Sequence, residues 1–516
     1  MTSTQTAVPV GLAPLTADQV VAVARGGAPI ALTDEAREAM AASRKQVDDL
    51  AAADTPAYGI STGFGAMATR HIPPDRREAL QLSLIRSHAA GSGAEVEREV
   101  VRALMLLRLR TLASGGTGIR PGTAETLAAM MNAGIAPVVY EFGSLGCSGD
   151  LAPLAHVALA LMGEGEVRDA AGDLLPAAEA LAAARIEPVR LAAKEGLALI
   201  NGTDGMLGML VLACADLRRL VSTADLAAAM SVEALLGTDR VFAADLQELR
   251  PHPGQAASAA NLRALLAGSA IMESHRGPDC NRVQDAYSLR CAPQVAGAMR
   301  DTLAHAEAVA TRELAATIDN PVVLPDGRVE SNGNFHGAPV GYVLDFLAIA
   351  IADLASMAER RTDRMLDKAR SHGLPPFLAD DPGVDSGHMI AQYTQAAIVS
   401  ELKRLAVPAS VDSIPSSAMQ EDHVSMGWSA ARKLRRAVDG LQRVLAVEIL
   451  SAARALDLRA PLTPGPATAA AVAALRARVG GPGPDRHLAP EIDATAALVA
   501  DGTLLAAAAH VTGGLA

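Results

Sequence analysis

Long stretches of this chain contain no proline, among them 189–250, 294–320, 340–374 and 416–460. Proline lacks a backbone N–H and its ring clashes with the preceding turn, so it breaks helix interiors. Long proline-free stretches are therefore where long helices fit. Within them apolar residues recur at the helical period. Val343, Leu347, Ala350, Leu354 and Met357 form one stripe, and Leu434, Ala437, Leu441, Leu445 and Ile449 form another. Half of the residues are apolar but only 2% are aromatic, so alanine, leucine and valine must fill the core. Alanine and leucine are strong helix formers, and helices with apolar faces associate into bundles. The expected fold is mainly α. A mixed, loop-rich region over 1–204 precedes a long-helix bundle over 205–460, and a helical region over 461–516 follows.

The first region is broken by glycine and proline. Within it, Gly163–Ala177 reads as a small hairpin with Ala171-Gly172-Asp173 at its turn. In the last region, PLTPGP and GGPGPDRH read as loops. The formal charge of −12 argues against nucleic acid or an anionic membrane, because phosphate binding needs clustered Lys and Arg. The N-terminus has no basic stretch followed by a sustained apolar run, so no secretory signal is expected. As membrane spans, Gly205–Ala215 reads as too short and Val340–Met357 carries Asp345 and Asp353. Cys147, Cys214, Cys280 and Cys291 form no CxxC pair and no zinc spacing. A reduced, cytoplasmic setting is expected. The twelve histidines are scattered, with no HExxH, so no metal is expected.

One stretch fits neither core helix nor strand: EFGSLGCSGDLAPLAH, Glu141–His156. Its centre is Gly146-Cys147-Ser148-Gly149-Asp150. The second glycine comes one place too early for the G-x-S-x-G elbow of a serine nucleophile, and a P-loop lysine is absent. Spacing alone favours a tight loop whose serine caps a helix starting near Leu151. A second chemistry also suits these residues. If the Gly149 nitrogen attacks the Cys147 carbonyl carbon, a five-membered ring closes. Loss of water from that step and of the Ser148 hydroxyl leaves a conjugated methylidene-imidazolone. Glycine has the least hindered nitrogen, serine supplies the leaving hydroxyl, and flanking glycines tolerate the strained backbone. The product is an electrophile that no unmodified side chain provides.

GSLGCSGDLAPLAH resembles the signature of the ammonia-lyases that carry this group. YGISTGFG (58–65), SHAAG (87–91), KEGLALINGT (194–203), VQDAYSLRCAPQ (283–294), GNFHGAPV (333–340) and SAMQEDHVSMG (417–427) follow in the family's order. Among family members, the resemblance is to those that convert L-histidine to trans-urocanate and ammonia, the first step of histidine breakdown. It implies a homotetramer whose active sites each draw on three subunits, a small-molecule substrate and no external cofactor. It implies that Cys147, Ser148 and Gly149 form the electrophile and that Tyr287 removes the β-proton. A tyrosine, with an ordinary pKa near 10, serves as a base only where its site stabilises the phenolate. Tyr58 would assist proton transfer or position the substrate amine, and Arg290 would pair with the substrate carboxylate. Asn201 and Gln284 would hydrogen-bond the electrophile or the substrate amine and carboxylate, and Phe335 would pack against the electrophile. His88 and Glu421 would select the side-chain ring. A carboxylate facing a phenyl ring would be buried unpaired, which argues for histidine over phenylalanine.

Three positions depart from the family pattern: Cys147 and Met419 stand where alanine and asparagine are usual, and Ser61 stands where asparagine is common. Three other readings compete. A tyrosine lyase or aminomutase of the same family would share the electrophile, and Glu421 argues against it. The fumarase and aspartase group also forms helical tetramers, but its GSSxMPxKxN loop is missing. A non-catalytic scaffold would have lost Ser148, Tyr287 or Arg290, and all three are present.

Overall fold

Helices occupy these four proline-free stretches, 189–250, 294–320, 340–374 and 416–460. In a computed structural model that describes residues 6–53, 57–63, 70–277 and 283–516, they run Asp204–Ala234, Ala292–Leu314, Ala338–Leu366 and Gly427–Asp457. The stripe Leu434, Ala437, Leu441, Leu445 and Ile449 is buried throughout. Truncating one of its leucines to alanine is expected to cost about 2–5 kcal/mol. In the other stripe Val343, Leu347 and Leu354 are buried, while Ala350 and Met357 lie half-buried at its edge. Phe64, Gly65 and Cys280 lie outside the described residues.

The chain forms two compact units, each assembled from separated segments. The first comprises 1–212, 307–345 and 408–432. It holds the short strands. Val8–Val10 pairs in parallel with Ile30–Leu32, and Ser92–Glu95 pairs antiparallel with Tyr140–Phe142. The expected hairpin is present as Glu166–Arg168 against Leu174–Pro176, in register Val167 to Leu175. Its turn is closed by Asp169, whose Oδ1 accepts from the N–H groups of Ala171 and Asp173, and Gly172 takes φ +94° there. The second unit comprises 213–306, 346–407 and 433–516, with the last helices Pro466–Arg476, Ala489–Ala500 and Thr503–Thr512.

One premise of the sequence reading fails. Gly205–Ala215 is not a short segment but part of the 31-residue helix Asp204–Ala234. Together with the preceding helix, the span Glu195–Ala234 is long and apolar enough to cross a membrane by length and composition, and so is Ala338–Leu366. The apolar window of the first is wholly buried inside the protein.

Candidate active site

Helices Arg77–His88, Leu151–Leu161 and Glu195–Ile200 pack against one another in the first unit. Their ends set the site. His88 closes the first, Cys147-Ser148-Gly149 precedes the second, and Asn201 is the C-cap of the third. The Gly91 N–H donates to His156 Nε2 at 3.1 Å, tying the His88 segment to the helix behind the loop.

Ser148 does not cap that helix, contrary to the simpler sequence reading. The N-cap is Asp150, and no side chain caps the helix. Asp150 reaches instead to the start of helix Asp204–Ala234. Its Oδ2 accepts from the N–H groups of Gly205 and Met206 at 2.9 and 3.0 Å, and its Oδ1 accepts from Ser144 Oγ at 2.8 Å. Full burial pushes this carboxyl up to about 7, against the pull of those donors. The Asp150 N–H donates to the Gly202 carbonyl at 2.7 Å, which presses the loop onto the turn after Asn201.

That contact explains the bare backbone. Gly149 takes φ +82°, and a Cβ there would lie 2.2 Å from the Gly202 oxygen. Gly146 takes φ +67°, and its Cβ would lie 2.4 Å from Ser425 Oγ. Gly146 O accepts from Ser425 Oγ at 2.6 Å and from the Gly337 N–H at 3.0 Å. The loop that carries Phe335 is thereby pinned to the loop that carries Ser148.

Glu421 lies against the loop. Its carboxylate accepts from Ser148 Oγ and Cys147 Sγ at 3.0 Å each, and from Ser416 Oγ at 3.1 Å. Burial, then the Glu421 carboxylate, push the Cys147 thiol up to about 12, so it remains a neutral donor. The backbone that presents Glu421 is strained. Ser417, Ala418 and Met419 have φ of 52°, 52° and 68°, three left-handed non-glycine residues in a row, at roughly 1–2 kcal/mol each. Backbone bonds between Ser416 and Glu421 close this turn. Met419 points to solvent. Ser416 had no signal in the sequence beyond its place beside the motif.

His88 Nδ1 faces the Leu84 carbonyl at 2.9 Å. A carbonyl only accepts, so Nδ1 carries the proton and Nε2 of the neutral ring is left as an acceptor. Burial lowers the pKa of His88, opposed by the Leu84 carbonyl and the charge of Glu421. Asn201 Nδ2 donates to Asn320 O at 2.9 Å, while its buried Oδ1 has no partner among the described residues. The turn is held by Arg108, fully buried, which donates to the carbonyls of Ala198 and Asn201. Sequence reasoning missed Arg108, because its bonds go to backbone carbonyls far along the chain. Tyr58 is half-buried in a turn closed by the Ala57 N–H donating to Ser61 Oγ at 2.9 Å, so the serine found in place of asparagine serves that turn.

The remaining expected residues lie in the second unit. Tyr287–Arg290 is a four-residue helix, and the Arg290 guanidinium sits 4.5 Å over the Tyr287 ring. Gln284 and Arg290 line one cavity of about 390 Å³. Tyr287 is 69% exposed.

The model of the aromatic amino acid lyase family matches residues 15–477. The chain belongs to the aromatic amino acid lyase family. It is similar to a histidine ammonia-lyase of Streptomyces coelicolor, with 68% identity over 507 residues, 98% of this chain and 99% of the relative. A histidine ammonia-lyase of Streptomyces griseus is 67% identical over 510 residues, with the same coverage of both chains. Among solved structures, a tyrosine aminomutase from Streptomyces globisporus gives a TM-score of 0.92 at 38% identity, over 98% of this chain and 99% of that one. A histidine ammonia-lyase from Trypanosoma cruzi gives 0.90 at 38% identity, over 98% and 96%.

The lyase has a loop that fits the self-made electrophile its family resemblance implies. The Gly149 position has no room for a Cβ, and the Ser148 hydroxyl lies beside a carboxylate. Among the described residues, no group of three or more His, Cys, Asp or Glu could hold a metal ion.

Proposed function

We propose that this lyase converts L-histidine to trans-urocanate and ammonia, using an electrophile made from Cys147, Ser148 and Gly149 with no imported cofactor. The observation that carries this reading is Glu421. A carboxylate beside Ser148, in the field of a His88 ring that offers an acceptor, suits a substrate ring bearing an N–H. The similarity to histidine ammonia-lyases at 67–68% identity over nearly the full length supports the same substrate.

When formed, the methylidene-imidazolone supplies an electron-poor carbon that activates the amino group for departure. The chain's own residues do the rest. Asn201 Oδ1, buried and unpartnered among the described residues, accepts from the substrate ammonium or from the electrophile's surroundings. Arg290 pairs with the substrate carboxylate, and Gln284 in the same cavity helps to orient it. Tyr287 takes the β-proton, and Tyr58 assists or holds the amine. Phe335, on the loop bonded to Gly146, packs against the electrophile.

A base that is 69% exposed in one chain needs a neighbour to exclude water. Tyr342, Phe346 and Ile349 line one face of helix Ala338–Leu366 and are exposed, as are Ile390 and Tyr393 of Met389–Leu405. These faces support a homotetramer with shared sites. Light scattering would then report four copies of a 52.9 kDa chain. Among the described residues Cys147, Cys214 and Cys291 form no disulfide, which suits a reducing cytoplasm.

The likeness to a tyrosine aminomutase keeps a tyrosine substrate as a second reading. Ultraviolet assays of purified protein with L-histidine and L-tyrosine decide between them. Urocanate from histidine, lost in Ser148→Ala, is expected. Coumarate or β-tyrosine formation from tyrosine alone would overturn the substrate assignment.

A further inference from the structure

Arg361 and Glu448 sit on helices Ala338–Leu366 and Gly427–Asp457 in the second unit, and both are buried, at 1% and 0% exposure. They form a two-pronged pair, Nε to Oε1 at 2.5 Å and Nη2 to Oε2 at 2.9 Å. Ser231 Oγ, from the helix Asp204–Ala234, donates to the same carboxylate at 2.7 Å. Taking two charges out of water is costly, and apolar residues of similar volume often replace such a pair without loss of stability. Stability alone therefore does not account for the pair.

The third prong of Arg361 does. Its Nη1 donates to the Ser288 carbonyl at 3.2 Å. Ser288 follows Tyr287 in the four-residue helix Tyr287–Arg290. So short a helix has almost no internal hydrogen bonds to hold its shape. Ser288 and Leu289 are buried while Tyr287 faces outward. The tether therefore grips the inner side of the turn and leaves the tyrosine presented. On the other flank, Asp285 Oδ2 accepts from the Thr238 N–H at 2.6 Å. Tyr287 is bracketed by two anchors, and the one beside it belongs to three long helices joined through Glu448. A planar guanidinium with two prongs fixed has little freedom in the third.

We propose that Arg361 is a positioning residue, which fixes Tyr287 and Arg290 for proton removal and carboxylate binding through the Ser288 carbonyl. This rests on the reading that Tyr287 and Arg290 act on the substrate.

Two variants test it. Arg361→Lys keeps the charge and loses the fork. Arg361→Met with Glu448→Leu removes both charges at similar volume. Each should fold with near-wild-type melting and keep the electrophile's near-ultraviolet absorbance. Each should lower kcat for urocanate formation by between about 10- and 100-fold, the effect of a small misplacement of a reacting group. In a Tyr287→Phe background, the same substitutions should cost nothing further in kcat, because the base they position is gone, while KM should still rise through Arg290. Wild-type kcat in both Arg361 variants would overturn the proposal, as would kcat losses that multiply with Tyr287→Phe. Failure of the double variant to fold would also overturn it, since the pair would then serve stability. A Tyr287→Phe enzyme with wild-type kcat would instead overturn the role given to Tyr287.

Discussion

Glu421 accepts a hydrogen bond from the hydroxyl of Ser148 at 3.0 Å, across 273 residues of sequence. The same carboxylate takes the Cys147 thiol at 3.0 Å. One acid thus touches two of the three residues of the loop proposed to form the electrophile. Glu421→Gln keeps the shape and removes the charge. Hydrogen bonds to charged groups are worth about 1.5–3 kcal/mol. Steady-state kinetics should show kcat/KM for L-histidine reduced by about 10- to 100-fold, with the electrophile's absorbance retained.

Gly149→Ala places a Cβ 2.2 Å from the Gly202 oxygen on a backbone at φ +82°. The carbonyl is backbone and cannot swing aside. The variant should lack near-ultraviolet absorbance from the cyclised loop and make no detectable urocanate, while circular dichroism still reports a helical protein.

Cys147→Ala should leave urocanate turnover within a few-fold of wild type, because the thiol is a neutral donor that the ring does not consume. Its pKa rises from an ordinary 9.0 to about 12. A raised value means that the folded state holds the proton more tightly. The associated stability is full below pH 9.0 and is lost as pH rises toward 12. Urea unfolding across that window should fall more steeply for wild type than for Cys147→Ala.

His336 and His423 stack 5.3 Å apart, with His336 Nε2 3.2 Å from His423 Nδ1. The Ala338 N–H donates to His336 Nδ1, so in the neutral His336 ring Nε2 carries the proton that faces His423 Nδ1. Burial, then the charge of His423, lower the pKa of His336 below its ordinary 6.5. A lowered value means that this contribution is full above pH 6.5 and is lost as pH falls below it. The pair links the Phe335 loop to the Glu421 loop. Urea unfolding should show wild type losing more stability than His336→Gln as the pH is lowered through this range.

The long helices were legible because proline marks where they cannot run and apolar spacing marks which face is buried. The hairpin at 166–176 was legible from its turn residues. The partner of Ser148 was not. Its hydroxyl turns away from the nearby helix end because Glu421 lies within reach, and nothing local records a residue so far along the chain. Asp150 likewise serves the start of helix Asp204–Ala234 rather than its own helix. Arg108, Ser416 and Arg361 stayed hidden for the same reason: each bonds to a group brought near only by folding. The apolar run at Gly205–Ala215 read as short because its helix continues through less apolar residues, where helical spacing rather than a continuous run carries the signal.

The most direct measurement is the mass of the peptide spanning Cys147-Ser148-Gly149 in purified, active protein. Ring closure and loss of the Ser148 hydroxyl together remove two water molecules, and a peptide lighter by that amount is expected. A peptide of full unmodified mass, in protein that forms urocanate at its full rate, would contradict the role assigned to Ser148.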